Sequence, residues 1–165
     1  MNPAVGERPT VSLRPMPPDA WEAWRDASIL GYAAEKIVAG TWPADSARQR
    51  AIDEFASLLP DGQQTPGHEF RSIVTDAGEP IGVVWFAPQR EIGRGAAFIY
   101  DIVIDADQRG HGFGRAAIEA LEPLARSLGY DRIRLHVFGH NMVARGLYRS
   151  AGYVETDVQM EKRID

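Results

Sequence analysis

Ala47, Ala51, Phe55 and Leu58 are spaced four, four and three residues apart, which puts four apolar side chains on one face of a helix predicted over residues 44–59. Upstream, residues 10–14 alternate weakly and read as a first strand, after which Pro15, Pro17 and Pro18 stop any regular element. Asp19 followed by Glu22 predicts a capping-box start for a helix that runs to about residue 38 and is broken by Trp42-Pro43. Beyond Pro60-Asp61-Gly62 the period changes to two. Residues 70–75 and 81–87 flank the turn Asp76-Ala77-Gly78-Glu79 and predict a hairpin. Residues 96–105 are nearly apolar throughout and predict a strand inside the sheet.

A Gly-rich turn then leads into a helix over residues 112–128, with Ala117, Leu121, Leu124 and Leu128 as its buried stripe and Gly129 closing it. Pro123 removes one of its backbone hydrogen bonds and predicts a bend. A strand over 131–138, a helix over 141–151 capped by Gly152 and a last strand over 153–162 complete the pattern. No internal repeat or low-complexity linker interrupts it, so one α/β (α+β) layer domain around a mixed sheet is expected over residues 1–165.

Composition narrows the partners. The net charge is -5, which argues against a nucleic-acid binder, yet residues 109–149 hold seven Arg against three acids, +4 by themselves, leaving -9 on the remainder. A positive segment on an acidic body suits a compact anionic ligand together with a cationic co-substrate. The absence of cysteine excludes disulfides, thiolate metal sites and a Cys nucleophile. The longest apolar stretch, residues 81–87, is too short to span a bilayer, so no membrane partner and a cytoplasmic location are expected.

The segment Gln108-Arg109-Gly110-His111-Gly112-Phe113-Gly114-Arg115 sits between a buried strand and a helix. Alternate glycines free the backbone to aim N–H groups at one point, and the helix N-terminus adds its positive dipole, so the turn can cradle a pyrophosphate. Arg109 and Arg115 can add charge-assisted contacts. A dinucleotide fingerprint would need Gly-x-Gly-x-x-Gly and an acid ending the next strand, and a P-loop would need Gly-Lys-Ser/Thr; neither is present. On the following helix, Asn141, Ala144 and Tyr148 share one face that reads polar, small, polar, against which a slender chain can lie. A lone helical tyrosine more often packs in the core, and by itself this face would favour that role.

Together the two segments resemble the GCN5-related N-acetyltransferase (GNAT) family over roughly residues 96–154. Arg109-x-x-Gly112-x-Gly114 is similar to the family's pyrophosphate signature, and Asn141 to Tyr153 is similar to its second motif, in which the Asn and Tyr flank a pantetheine arm. The resemblance implies a mixed, mostly antiparallel central sheet flanked by helices, with splayed central strands. It also implies acetyl-CoA (coenzyme A) as cofactor, held by Arg109, Gly110, His111, Gly112, Phe113, Gly114, Arg115, Asn141, Ala144 and Tyr148. Attack by a neutral amine is direct in this family, and the resemblance assigns the oxyanion donors to the backbone around Ile102, Val103 and Ile104 and the general acid to Tyr148.

The base is left open. Asp101 is the only acid within its strand, but period-two alternation puts Tyr100 and Asp101 on opposite faces, and a bulge would reverse which one meets the acceptor. A buried, hydrogen-bonded carboxylate is an equal reading of Asp101; Glu35 is the second candidate. By analogy the acceptor pocket draws on the first two helices and the hairpin, with Glu35, Tyr32, Trp85 and Tyr100 as substrate-binding candidates. His68, His111, His136 and His140 lack metal-ligand spacing, so no metal is expected. The expected acceptor is a small-molecule amine, with a protein N-terminus or lysine, or a non-catalytic acyl-CoA sensor, as alternatives. If the chain associates at all, an isologous homodimer is expected.

Overall fold

The computed structural model describes residues 8–89, 95–162 and 164. Its elements follow the order β1 (Val11–Pro15), α1 (Pro18–Val38), α2 (Ala47–Leu58), β2 (Glu69–Thr75), β3 (Pro80–Pro88), β4 (Ala96–Ile104), α3 (Phe113–Ser127), β5 (Arg132–Leu135) and α4 (Met142–Ser150). The five strands form one sheet in chain order. β1 to β4 pair antiparallel, and α3 carries the chain back so that β5 lies parallel to β4.

Each face of the sheet holds its own core. On one, Trp21 and Trp24 of α1 and Phe55 of α2 pack against Phe70, Trp85 and, partly buried, Val83 and Val103. On the other, Ala117 and Leu121 of α3 cover Ile73, Ile81, Val84, Phe86 and Ile99. Fully burying side chains of this size contributes about 1.5–3 kcal/mol each, so these two clusters hold α1, α2 and α3 on the sheet. Ala47, Ala51 and Phe55 are buried as the spacing on α2 predicts.

Several boundaries differ from the sequence reading. Asp19 and Glu22 form no capping box: Pro17 is the N-cap without a side-chain bond, and Pro18, whose missing N–H and preset φ suit the first helical position, starts α1. Residues 44–46 are a turn, so α2 begins at Ala47. In α3 the stripe turns inward at Ala125, while Leu128 lies past the helix end and is exposed. α3 continues for another turn beyond Pro123.

β5 stops at Leu135 instead of running to 138, and no strand forms over 153–162. That segment alternates like a strand, but Glu155 accepts hydrogen bonds from Arg145 and Arg149, which tie its start to α4 and away from the edge of β5. Burial pattern alone does not create a ladder; the backbone needs a neighbour within reach.

Candidate active site

The site begins where β4 loses a neighbour. β5 pairs with Ala96 to Ile99 only, whereas β4 continues to Ile104 along β3. From Tyr100 onward, alternate N–H and C=O groups of β4, including those of the stretch Ile102, Val103 and Ile104, therefore point into a gap. One close approach makes this geometry tight on the other side: a Cβ at Gly82 would sit 2.2 Å from the Val103 carbonyl oxygen.

A register shift in β4 decides the open question of faces. Trp85 pairs with Asp101 and Phe86 with Ile99, so Tyr100 is the extra residue of a bulge. Tyr100 stacks on Trp85 with ring centroids 4.6 Å apart and also faces Phe98. Asp101 accepts hydrogen bonds on Oδ2 from Trp24 Nε1 (2.9 Å) and Ser28 Oγ (2.8 Å) of α1. Both side chains thus lie on the α1–α2 face, where regular alternation would have separated them. Burial raises the Asp101 carboxyl above the usual range, against the lowering effect of its bonds from Ser28, Trp24 and the Ile102 backbone.

Tyr148 approaches from α4. Its ring packs on Tyr153 at 5.6 Å. Its hydroxyl has no hydrogen-bond partner among the described residues and is not sealed from solvent. Burial first, and the charge of Asp101 second, push its pKa up to about 12, so the phenol keeps its proton throughout the neutral range.

The Gly-rich turn lies at the far end of β4. Gly110 and Gly112 have φ of 81° and 87°, the left-handed region that other residues avoid, and Gly112 is the N-cap of α3. Among the described residues, the amides of Arg109, Gly110, His111, Gly112, Phe113, Gly114 and Arg115 donate to no protein acceptor. Gly114 lets α4 come close, since a Cβ there would meet Leu147 at 3.1 Å. The arginines are placed differently from the backbone. Arg109 Nε donates to the Ile104 carbonyl at 2.8 Å, and Arg115 is engaged by the carbonyl and hydroxyl of Ser150 and by Glu119. Arg115 thereby fastens α4 to α3. Asn141 is the N-cap of α4, its Oδ1 accepting from the Ala144 amide at 3.1 Å.

The other candidates are spread along α1 and the hairpin. Tyr32 donates to Glu54 of α2 at 2.8 Å and packs on Phe55 and Trp42, so it braces the two helices. Trp85 is 2% exposed; it supports Tyr100 from below and has no open surface of its own. Glu35 bonds His140 at 2.6 Å, bridging the end of α1 to the turn before α4. A cleft of about 1240 Å³ runs along the outer edge of β5 past Phe138, Tyr148 and Tyr153, but no residue of 109–114 lines it. Ser28 and Trp24 are the residues that sequence reasoning missed as partners of Asp101. Their spacing of four on α1 was the available signal, since it puts them on one face.

The family model for the acetyltransferase (GNAT) family matches residues 21–153. The chain belongs to the GNAT family. As a GNAT protein it is an acetyltransferase, and relatives carry the same description. It is 37% identical over 155 residues to the uncharacterised N-acetyltransferase YycN of Bacillus subtilis, covering 94% of this chain and 99% of that one. It is 34% identical to YdgE of the same organism, covering 93% and 98%. The crystal structure of YycN superposes with a TM-score of 0.89. The GNAT fold also aligns with the aminoglycoside N-acetyltransferase AAC(6')-Iy in complex with CoA, at 17% identity and a TM-score of 0.59 over 97% of this chain and 98% of that one.

Proposed function

We propose that this chain transfers an acetyl group from acetyl-CoA to a primary amine of a small molecule, by direct attack, with Tyr148 as general acid and Asp101 as the base. The observation that carries the reading is the unpartnered Tyr148 hydroxyl, coupled to Asp101 beside the stretch of β4 that has no strand neighbour. The cofactor fits the residues present. Free amides from Arg109 to Arg115 at a helix N-terminus suit a pyrophosphate, and Leu147 brings α4, the helix of Ala144 and Tyr148, against Gly114. AAC(6')-Iy, described with CoA bound, is consistent with that choice.

When bound, acetyl-CoA supplies the activated thioester. Asp101, raised by burial, is a stronger base than a free carboxylate and accepts a proton from an incoming ammonium. On the side of β4 without a strand neighbour, the backbone amide of Ile104 offers a donor for a developing oxyanion, while that of Ile102 bonds Asp101. Tyr148 holds a proton at Oη for the leaving thiolate.

The test is Tyr148→Phe, which removes an oxygen without orphaning a partner and so leaves the melting temperature within about 1 °C. Thiol release with a panel of amines is expected to fall about 10²–10⁴-fold in kcat while calorimetric affinity for acetyl-CoA holds. Turnover of Tyr148→Phe within threefold of wild type would remove Tyr148 as acid, and failure of wild type to bind acetyl-CoA would remove the cofactor reading.

A further inference from the structure

Among the described residues three donors meet the Asp101 carboxyl: Trp24 Nε1 at 2.9 Å and Ser28 Oγ at 2.8 Å, both on Oδ2, and the Ile102 amide. Trp24 is explained by the core. Its indole is wedged among Phe55, Phe70 and Trp85, with ring centroids 6.5, 5.3 and 5.5 Å away, and its buried N–H would be stranded without Asp101. Ser28 is not explained in that way. It lies one turn further along α1, half-buried, where solvent can meet the needs of a hydroxyl.

Alanine would be the better helix former at this interior position of α1. A serine inside a helix ordinarily turns its hydroxyl onto the carbonyl four residues back, which here is that of Trp24. Ser28 donates to Asp101 instead. Neither helix propensity nor the pairing of Trp24 accounts for the hydroxyl; the chemistry of the carboxyl does. A proton taken up on Oδ1 would turn Oδ2 into a carbonyl-like oxygen, a weaker acceptor than a carboxylate oxygen. Two donors on Oδ2 therefore favour the ionised form and fix the plane of the group, while no side chain donates to Oδ1 among the described residues. Burial raises the carboxyl, and the bond from Ser28 comes first among the effects that oppose it.

We propose that Ser28 is a positioning residue for the proton transfer that precedes acetyl transfer. With Trp24 it holds Oδ2 of Asp101, so that Oδ1 takes the proton of the acceptor ammonium. The N–H bond breaks, its electron pair stays on nitrogen as the nucleophile, and the new O–H bond forms on Oδ1. The inference rests on the reading of Asp101 as the base and adds the residue that orients it.

The test compares Ser28→Ala with Ser28→Thr, which keeps the hydroxyl; Asp101 retains Trp24 and Ile102 as donors in both. No charged side chain contributes to the shift of Asp101 among the described residues: α1 presents Trp24 and Ser28, β3 presents Trp85, and Tyr148 of α4, coupled to it, keeps its proton up to about 12. Carboxyl-carbon NMR of the free, aspartate-labelled protein reads the titration of Asp101 without turnover. Thiol release, with the amine that wild type turns over fastest, reads the acid limb of kcat/KM. In Ser28→Ala both the NMR midpoint and the limb should move to higher pH together. At a pH below both midpoints the variant should lose about tenfold more than on its plateau, the worth of one hydrogen bond to a charged group. The plateau itself should fall about threefold, because one donor fewer holds the carboxyl plane. Ser28→Thr should recover both. A midpoint and limb unmoved in Ser28→Ala, a limb that stays while the midpoint moves, or a loss that Ser28→Thr does not recover would each overturn the inference. An Asp101→Asn enzyme with its acid limb intact, or a wild type that turns over no amine, would instead strike the reading beneath it.

Discussion

Asp101 can be separated into its two roles by a pair of substitutions. It accepts from Trp24 Nε1 and Ser28 Oγ, and Trp24 is itself in the core at 6% exposure. Asp101→Ala leaves both donors unpaired, at about 1–3 kcal/mol each, so a loss of about 2–5 kcal/mol is expected. For a chain of this length that lowers the melting temperature by roughly 5–15 °C. Asp101→Asn keeps an oxygen for those donors and removes the buried charge. Because burial raises the folded-state pKa above that of the unfolded chain, the native state binds the proton more tightly. The stability this gives is full below the unfolded carboxylate value and is lost as pH rises through the raised one. Above the raised value wild type therefore carries the cost of the ionised group, and Asp101→Asn should melt at or above wild type there, with the advantage vanishing below the unfolded carboxylate value. Activity should behave otherwise. Both variants lose the base and fall about 10²–10⁴-fold in kcat/KM, and the acid limb of the wild-type pH profile, displaced above the usual carboxylate range, disappears. Differential scanning calorimetry across pH and thiol-release kinetics read the two effects independently. An Asp101→Asn enzyme within threefold of wild type and with its acid limb intact would refute the catalytic role, leaving a structural carboxylate; an Asp101→Ala protein as stable as wild type would refute the structural one.

Two glycines give further tests. Gly112→Ala forces a left-handed φ on a residue with a Cβ and brings that atom to 3.2 Å from Pro9; a cost of about 1–2 kcal/mol and at least tenfold weaker acetyl-CoA binding by calorimetry are expected. Unchanged affinity would mean that the turn does not shape the phosphate site. Gly82→Ala sets a Cβ 2.2 Å from a backbone oxygen of β4 and should cost ~3 kcal/mol or more in thermal unfolding, since neither strand can yield without breaking the ladder. A melt within 2 °C of wild type would show that β3 and β4 separate more freely than their pairing implies.

Period and turn chemistry made most of the fold legible. The four-four-three spacing on α2, the alternation around the 76–79 turn and the apolar run of β4 each match the burial they produce, because each is decided within a single element. The misses depend on neighbours. Whether residues 153–162 join the sheet depends on what holds Glu155, and two arginines on α4 hold it. Whether Arg115 serves a phosphate or a helix depends on Ser150, 35 residues away. The Gly-rich turn was readable as a set of free amides because conformation there is a local property of glycine. Of the acceptor side, only the aromatic content was visible; which rings stack and which are sealed arises from packing between α1, α2, β3 and β4.

The bulge at Tyr100 is where regular structure and the candidate chemistry conflict. Under strict alternation, a Tyr100 stacked on Trp85 would send Asp101 to the face of α3, among Val84, Phe86, Ile99 and Leu121. That cluster is built of apolar side chains, and an unpaired carboxylate among them would cost several kcal/mol. The opposite choice would keep Asp101 on Trp24 and Ser28 but pull Tyr100 off its stack on Trp85. One unpaired residue lets both side chains meet their partners on α1 and β3, at the cost of one interrupted step in the ladder. The same step falls immediately after the last β4–β5 pair, so the strand loses regularity just where its backbone is also left without a neighbour. Stability accounts for the bulge once Asp101 is present, but not for an acid in a strand otherwise built of Ile, Val, Ala, Phe and Tyr. It is explained if Asp101, Tyr100 and the free amides of β4 must converge on one reacting centre.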